Sequence, residues 1–116
     1  MAYNEGLAEK LDRILAEKKV AYTAKKMFGG LCYLVDEKMC FGIVQDKFMA
    51  RINPDIYLSS LEKERVNEMN FTGRPMKGYV FVQSEIWDID DNLEYWIQLC
   101  LDYNPLAKAS KKKKIN

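Results

Sequence analysis

Between Lys25 and Ile52 the apolar residues return with a period of two, interrupted at Gly29-Gly30, Asp36-Glu37-Lys38 and Gln45-Asp46. That alternation requires a backbone with two opposite faces, and breaks this short admit only tight reversals, so the stretch must form an antiparallel sheet. The spacing predicts three strands, near Ala24 to Leu34, Met39 to Val44 and Lys47 to Ile52, with Gly29-Gly30 bending or bulging the first. Met39-Cys40-Phe41-Gly42-Ile43-Val44 is apolar on both faces and is placed inside the sheet.

The flanking segments change period and supply a cover for that sheet. Leu7, Leu11, Ile14 and Leu15 recur at helical spacing behind the capping residue Asn4 and the first-turn acid Glu5, which predicts a helix over Glu5 to Lys18. Asn53-Pro54 ends the third strand, because Pro lacks a ladder donor and suits the first turn of a helix. The helix that follows turns Ile56, Tyr57 and Leu61 to the sheet. Glu68 to Thr72 then pairs with Gly78 to Gln83 across a Gly73 to Lys77 turn. Leu93, Trp96, Ile97, Cys100 and Leu101 form the last helical stripe, capped at Asp90 or Asp91 and ending near Tyr103. The order helix, three strands, helix, two strands, helix closes best as an α+β two-layer sandwich, with helices on one face of an antiparallel sheet. Residues 1–104 make one domain, and residues 105–116 form a basic tail outside the core.

Composition narrows the class. A chain of 116 residues with 48% hydrophobic and 30% charged residues can bury a core without disulfides or metal. No apolar run approaches the roughly 18 residues of a membrane span, and the first residues lack the basic and apolar regions of a signal peptide. Cys32, Cys40 and Cys100 cannot all pair within one chain and form no CxxC, which fits buried thiols in the cytoplasm. Setting aside the five lysines at 108 and 111–114 leaves 13 cations against 17 acids. The folded body therefore carries about −4, opposite to the usual sign of a DNA-binding domain.

The absence of histidine removes the usual general base and the commonest zinc ligand, and three thiols cannot complete a four-cysteine zinc site. The glycines fit neither the P-loop nor the dinucleotide fingerprint. These features predict a protein that is not an enzyme and holds no metal or cofactor. A reactive Cys32 or Cys40 would need a cationic, partly exposed setting beside Lys25 or Lys26, whereas burial in the sheet leaves the thiol inert.

Lys25, Lys26, Arg51, Arg74 and Lys77 all fall at strand ends or in the Gly73 to Gly78 loop, where they are candidates to converge on an anion or an acidic partner. The opposing reading is that strand-end cations are solvated or locally paired. Glu85, Asp88, Asp90, Asp91 and Glu94 gather an acidic edge that either serves the last helix dipole or meets the basic strand ends of a second copy in a homodimer. Trp87, if exposed, would anchor such an interface. Lys111, Lys112, Lys113 and Lys114 can touch nucleic-acid phosphates without specificity, and no aromatic residue is interleaved to stack on bases.

Three stretches together carry a family resemblance: Met1-Ala2-Tyr3-Asn4-Glu5-Gly6-Leu7, Lys25-Lys26-Met27-Phe28-Gly29-Gly30 and Phe71-Thr72-Gly73-Arg74-Pro75-Met76-Lys77-Gly78-Tyr79. With Met39-Cys40-Phe41-Gly42 and Met49-Ala50-Arg51, they resemble the N-terminal domain of the TfoX family of bacterial competence regulators over about residues 3 to 103. The resemblance implies a two-layer α/β fold like that of the secretion-chaperone class. It also implies a regulatory role exercised with a transcriptional activator, although full-length members add a C-terminal domain that this sequence does not reach. It implies no catalytic residues.

Overall fold

Asn4 opens helix α1 (Glu5–Lys18) of the computed structural model, which describes residues 3–27, 29–68 and 78–107. Its side chain accepts a hydrogen bond from the Leu7 amide at 2.9 Å, satisfying one of the donors that a helix N-terminus leaves open. Leu7, Leu11, Ile14 and Leu15 are all buried, as their spacing requires. The helix stops because Lys19 turns left-handed at φ 58°, and the Val20 amide then closes back onto the Leu15 carbonyl at 3.0 Å.

Among the described residues six antiparallel strands follow: β1 (Thr23–Met27), β2 (Gly30–Val35), β3 (Lys38–Val44), β4 (Lys47–Arg51), β5 (Val66–Glu68) and β6 (Tyr79–Val82), in the order β1-β2-β3-β4-β6-β5. The single strand expected from Ala24 to Leu34 is therefore a hairpin. Met27 faces Gly30 across the ladder, and Gly29 holds φ 72°, a left-handed turn that reverses the chain instead of bulging it. The bulge lies elsewhere. Between β2 and β3 the register passes from Tyr33–Phe41 to Leu34–Met39, which leaves Cys40 unopposed. Cys40 and Phe41, neighbours in sequence, consequently both reach the core on the helix side. Asp36 and Glu37, at φ 54° and 66°, close β2 onto β3 as a two-residue turn of the kind that matches strand twist.

The helices lie over one face of this sheet. Tyr33, Phe41, Ile43, Phe48, Ala50, Val80 and Val82 meet the α1 stripe and Leu93, Trp96, Ile97 and Cys100 of α4 (Asp90–Tyr103) in one buried cluster. Tyr33 stacks on Phe41 at 5.1 Å between ring centres, and its hydroxyl donates to Asp12 of α1 at 3.2 Å, joining the two layers. The helix predicted after Asn53-Pro54 is a 3-10 turn (Pro54–Ile56) followed by the short α2 (Tyr57–Leu61). One short helix was unforeseen, α3 (Ser84–Trp87). Asp90 and Asp91 sit in the first turn of α4 rather than at its cap, which is Ile89. β5 begins at Val66, before the predicted strand, and pairs with β6 through Val66–Val82, Asn67–Phe81 and Glu68–Val80. The rest of that predicted hairpin, with its Gly73 to Lys77 turn, is outside the described residues.

The domain also runs past residue 104. Asn104 donates from Nδ2 to the Val35 carbonyl at 3.0 Å, Lys38 Nζ donates to the carbonyls of Asn104 and Pro105, and Ala107 is buried. The 3-10 turn Asn104–Leu106 thus belongs to the fold and not to the tail. A second latch holds the β3–β4 turn. The Asn4 amide donates to the Gln45 carbonyl at 2.8 Å, and Trp87 Nε1 donates to the Asp46 carbonyl at 2.8 Å. Among the described residues no helix is long and apolar enough to cross a membrane.

Candidate functional site

Directly opposed residues of adjacent strands share a face, so the registers place Lys25, Cys32, Gly42, Met49 and Phe81 in one row across five strands. This row lies on the face turned away from the helices. Cys32, Met39 and Met49 form a buried apolar cluster there, separate from the main core and flanked by half-buried Leu34, Tyr79 and Phe81. Alternation along β4 brings Lys47 and Arg51 to the same side as Met49. Lys47 Nζ stands 5.4 Å from the Phe81 ring centre, and the Arg51 guanidinium stands 5.5 Å from that of Tyr79. Arg51 Nη1 also donates to the Met39 carbonyl at 3.2 Å, which fixes the guanidinium over the sheet. A face of this kind offers cations already seated on aromatic rings, an arrangement worth about 0.5–1 kcal/mol per pair at exposed sites.

Of the five predicted cations, the three within the described residues do not all share one face. Lys25 joins the outer face with Arg51, but Lys26 opposes Leu31, which packs against the helix-side core. Consecutive strand residues point to opposite faces, and no turn intervenes to bring Lys25 and Lys26 together. Both are exposed, on the edge strand β1. Arg74 and Lys77 lie outside the described residues, as do the tail lysines. Lys47 was missed, although counting back by twos from Arg51 would have found it.

The acidic edge is also divided. Trp87 is buried with its indole N–H bound to Asp46, so it cannot anchor an interface as an exposed ring would. Asp90 accepts from Lys10 at 2.7 Å and from Arg13 at 3.3 Å, tying α4 to α1. The Lys10 hydrogen bond, then its charge, holds the Asp90 carboxyl below its ordinary pKa. Asp88 and Asp91 remain exposed.

All three thiols are buried. Burial pushes Cys32 up to about 11 and Cys40 up to about 12, the latter against the opposing charge of Arg51. Cys100 is raised as well, again chiefly by burial. The cationic, exposed setting that would activate Cys32 or Cys40 is not what surrounds them.

This combination of a helix-backed antiparallel sheet and the Met39 to Arg51 strand pair agrees with a match to the family model of the TfoX N-terminal domain over residues 14–103. The chain belongs to the TfoX N-terminal domain family. No curated protein and no solved structure matches it. The matched region of this TfoX N-terminal domain starts inside α1, so the Tyr3 to Leu7 part of the sequence resemblance lies outside it, while every sheet strand lies within.

Proposed function

We propose that this TfoX N-terminal domain is a non-enzymatic, cytoplasmic regulatory module that acts on transcription through a protein partner. Its contact set is Lys25, Lys47 and Arg51 on the outer sheet face, with Lys26 at the edge. The observation that carries this reading is the placement of Lys47 and Arg51 against Phe81 and Tyr79 on the face away from the helices. Mixed aromatic and basic surfaces are typical of protein interfaces, where Arg, Tyr and Phe are enriched. Buried thiols with raised pKa values support the absence of nucleophilic chemistry at the cysteines. Direct nucleic-acid binding is less well supported, because the body is acidic and Lys25 and Lys26 diverge across the sheet.

The test is a titration of labelled duplex DNA at two salt concentrations, using the full chain, a variant with Lys111, Lys112, Lys113 and Lys114 replaced by Gln, and Lys25→Glu/Lys47→Glu. Weak, salt-steep binding confined to chains with the lysine tail, or none at all, is the expected result. Binding that survives loss of the tail lysines but fails in Lys25→Glu/Lys47→Glu would overturn the reading. In the source cell, Lys25→Glu/Lys47→Glu should shift transcript levels as removal of the gene does; an unchanged transcript profile would also overturn it.

A further inference from the structure

We infer that β1 is a docking edge to which an extended, acidic segment of a protein partner adds as a further strand. The inference rests on the reading above that the domain acts through a protein partner, and it names where and how that partner binds.

Among the described residues β1 stands at the end of the strand order, paired only with β2 from Thr23–Leu34 to Met27–Gly30. In an edge strand, alternate backbone N–H and C=O groups point away from the sheet, and here no described strand receives them. Side chains from Thr23 to Lys26 are exposed. β1 offers five residues, Thr23 to Met27, enough for several ladder bonds. Main-chain hydrogen bonds supply affinity in strand addition, and side chains on the two faces supply selectivity.

The charge of this edge selects its occupant. Lys25 and Lys26 are adjacent and therefore stand on opposite faces, with neither in an ion pair among the described residues. An incoming strand meets one ammonium group above the sheet and one below. Two consecutive carboxylates on that strand meet both. A second copy of β1 fits worse, since the antiparallel register that pairs all five residues sets Lys25 against Lys25. Edge lysines ordinarily deter indiscriminate pairing; against an acidic strand the same charges discriminate in its favour.

The experiment uses the full chain and a short peptide of Thr and Val with a central Glu-Glu pair, followed by amide exchange and fluorescence anisotropy. Controls are the same peptide with Gln-Gln and one with a central Pro. Expected are saturable binding, slowed exchange of the Ala24 to Met27 amides that face away from β2, and binding about tenfold weaker for Lys25→Glu/Lys26→Glu or for the Gln-Gln peptide. The Pro peptide should not bind. No saturable binding, protection confined to other strands, or equal binding of the Gln-Gln peptide would overturn the inference. So would concentration-dependent protection of β1 without peptide, which would make a second copy the occupant. The duplex titration does not depend on the β1 backbone, so a failure of strand addition is distinguishable from a failure of the reading it rests on.

Discussion

The neighbouring glycines at 29 and 30 serve different physical ends, and replacing each by alanine separates them. A Cβ at position 30 would lie 2.0 Å from the Ile43 carbonyl oxygen and 3.1 Å from its carbon, where ordinary contact begins at 3.4 Å. Both atoms are backbone, so β2 and β3 must part by more than an ångström. Overpacking of this kind costs about 1–3 kcal/mol, and a lost ladder hydrogen bond adds about 1 kcal/mol. At position 29 an added Cβ meets nothing within 4 Å, and the cost is only the left-handed φ of 72°, about 1 kcal/mol. Urea unfolding followed by far-UV circular dichroism reads the difference. With a slope of about 1–2 kcal/mol per molar, Gly30→Ala should lower the midpoint by about 1–4 M and Gly29→Ala by about 1 M or less. A Gly29→Ala loss equal to or greater than that of Gly30→Ala would refute the claim that close strand approach, rather than turn conformation, is the stronger constraint here.

Glu37→Gly should raise stability by about 0.5–1 kcal/mol in thermal melts, because it relieves a left-handed residue at φ 66° in the β2–β3 turn. Trp87→Phe keeps most of the buried ring but strands the Asp46 carbonyl, and should cost about 1–3 kcal/mol in the same melts. Asp90 has a depressed folded pKa, so the stability from its pairing with Lys10 is present above the unfolded pKa and is lost as pH falls through the folded one. A carboxyl titration by NMR should find Asp90 below the ordinary aspartate range, returning toward it in Lys10→Ala. Cys32 and Cys40, with thiols at about 11 and 12, should resist alkylation at pH 8 in native protein and react promptly once urea unfolds it.

The helical layer was legible because its signal is local. The α1 stripe and its Asn4 cap lie within one continuous window, and so does the α4 stripe, so spacing alone identified both. The first hairpin was not legible, since a glycine pair inside an alternating run is compatible with a bulge or a reversal. The reversal shows in Gly29 at φ 72° and in Met27 facing Gly30, while Gly30 lies close to the Ile43 carbonyl, thirteen residues away in sequence. A place near a strand end does not say which face a side chain takes, and strand alternation divides Lys25 from Lys26. Trp87 was ambiguous for the same reason as Asp90. Its partner, Asp46, lies 41 residues away, and the Lys10 partner of Asp90 lies 80 away.

The latch on the β3–β4 turn has a kinetic consequence. Asn4 and Trp87 reach Gln45 and Asp46 from opposite directions along the chain, spanning 41 residues on each side. Closing each such loop costs about 3 kcal/mol of chain entropy on a logarithmic length scale, before either hydrogen bond returns anything. The two closures therefore belong late in folding, after the local hairpins and α1 have formed. Damage at Asn4 or Trp87 should then appear mainly as faster unfolding with the folding rate nearly unchanged, making this turn the place where the native state is held against time rather than where it is first found.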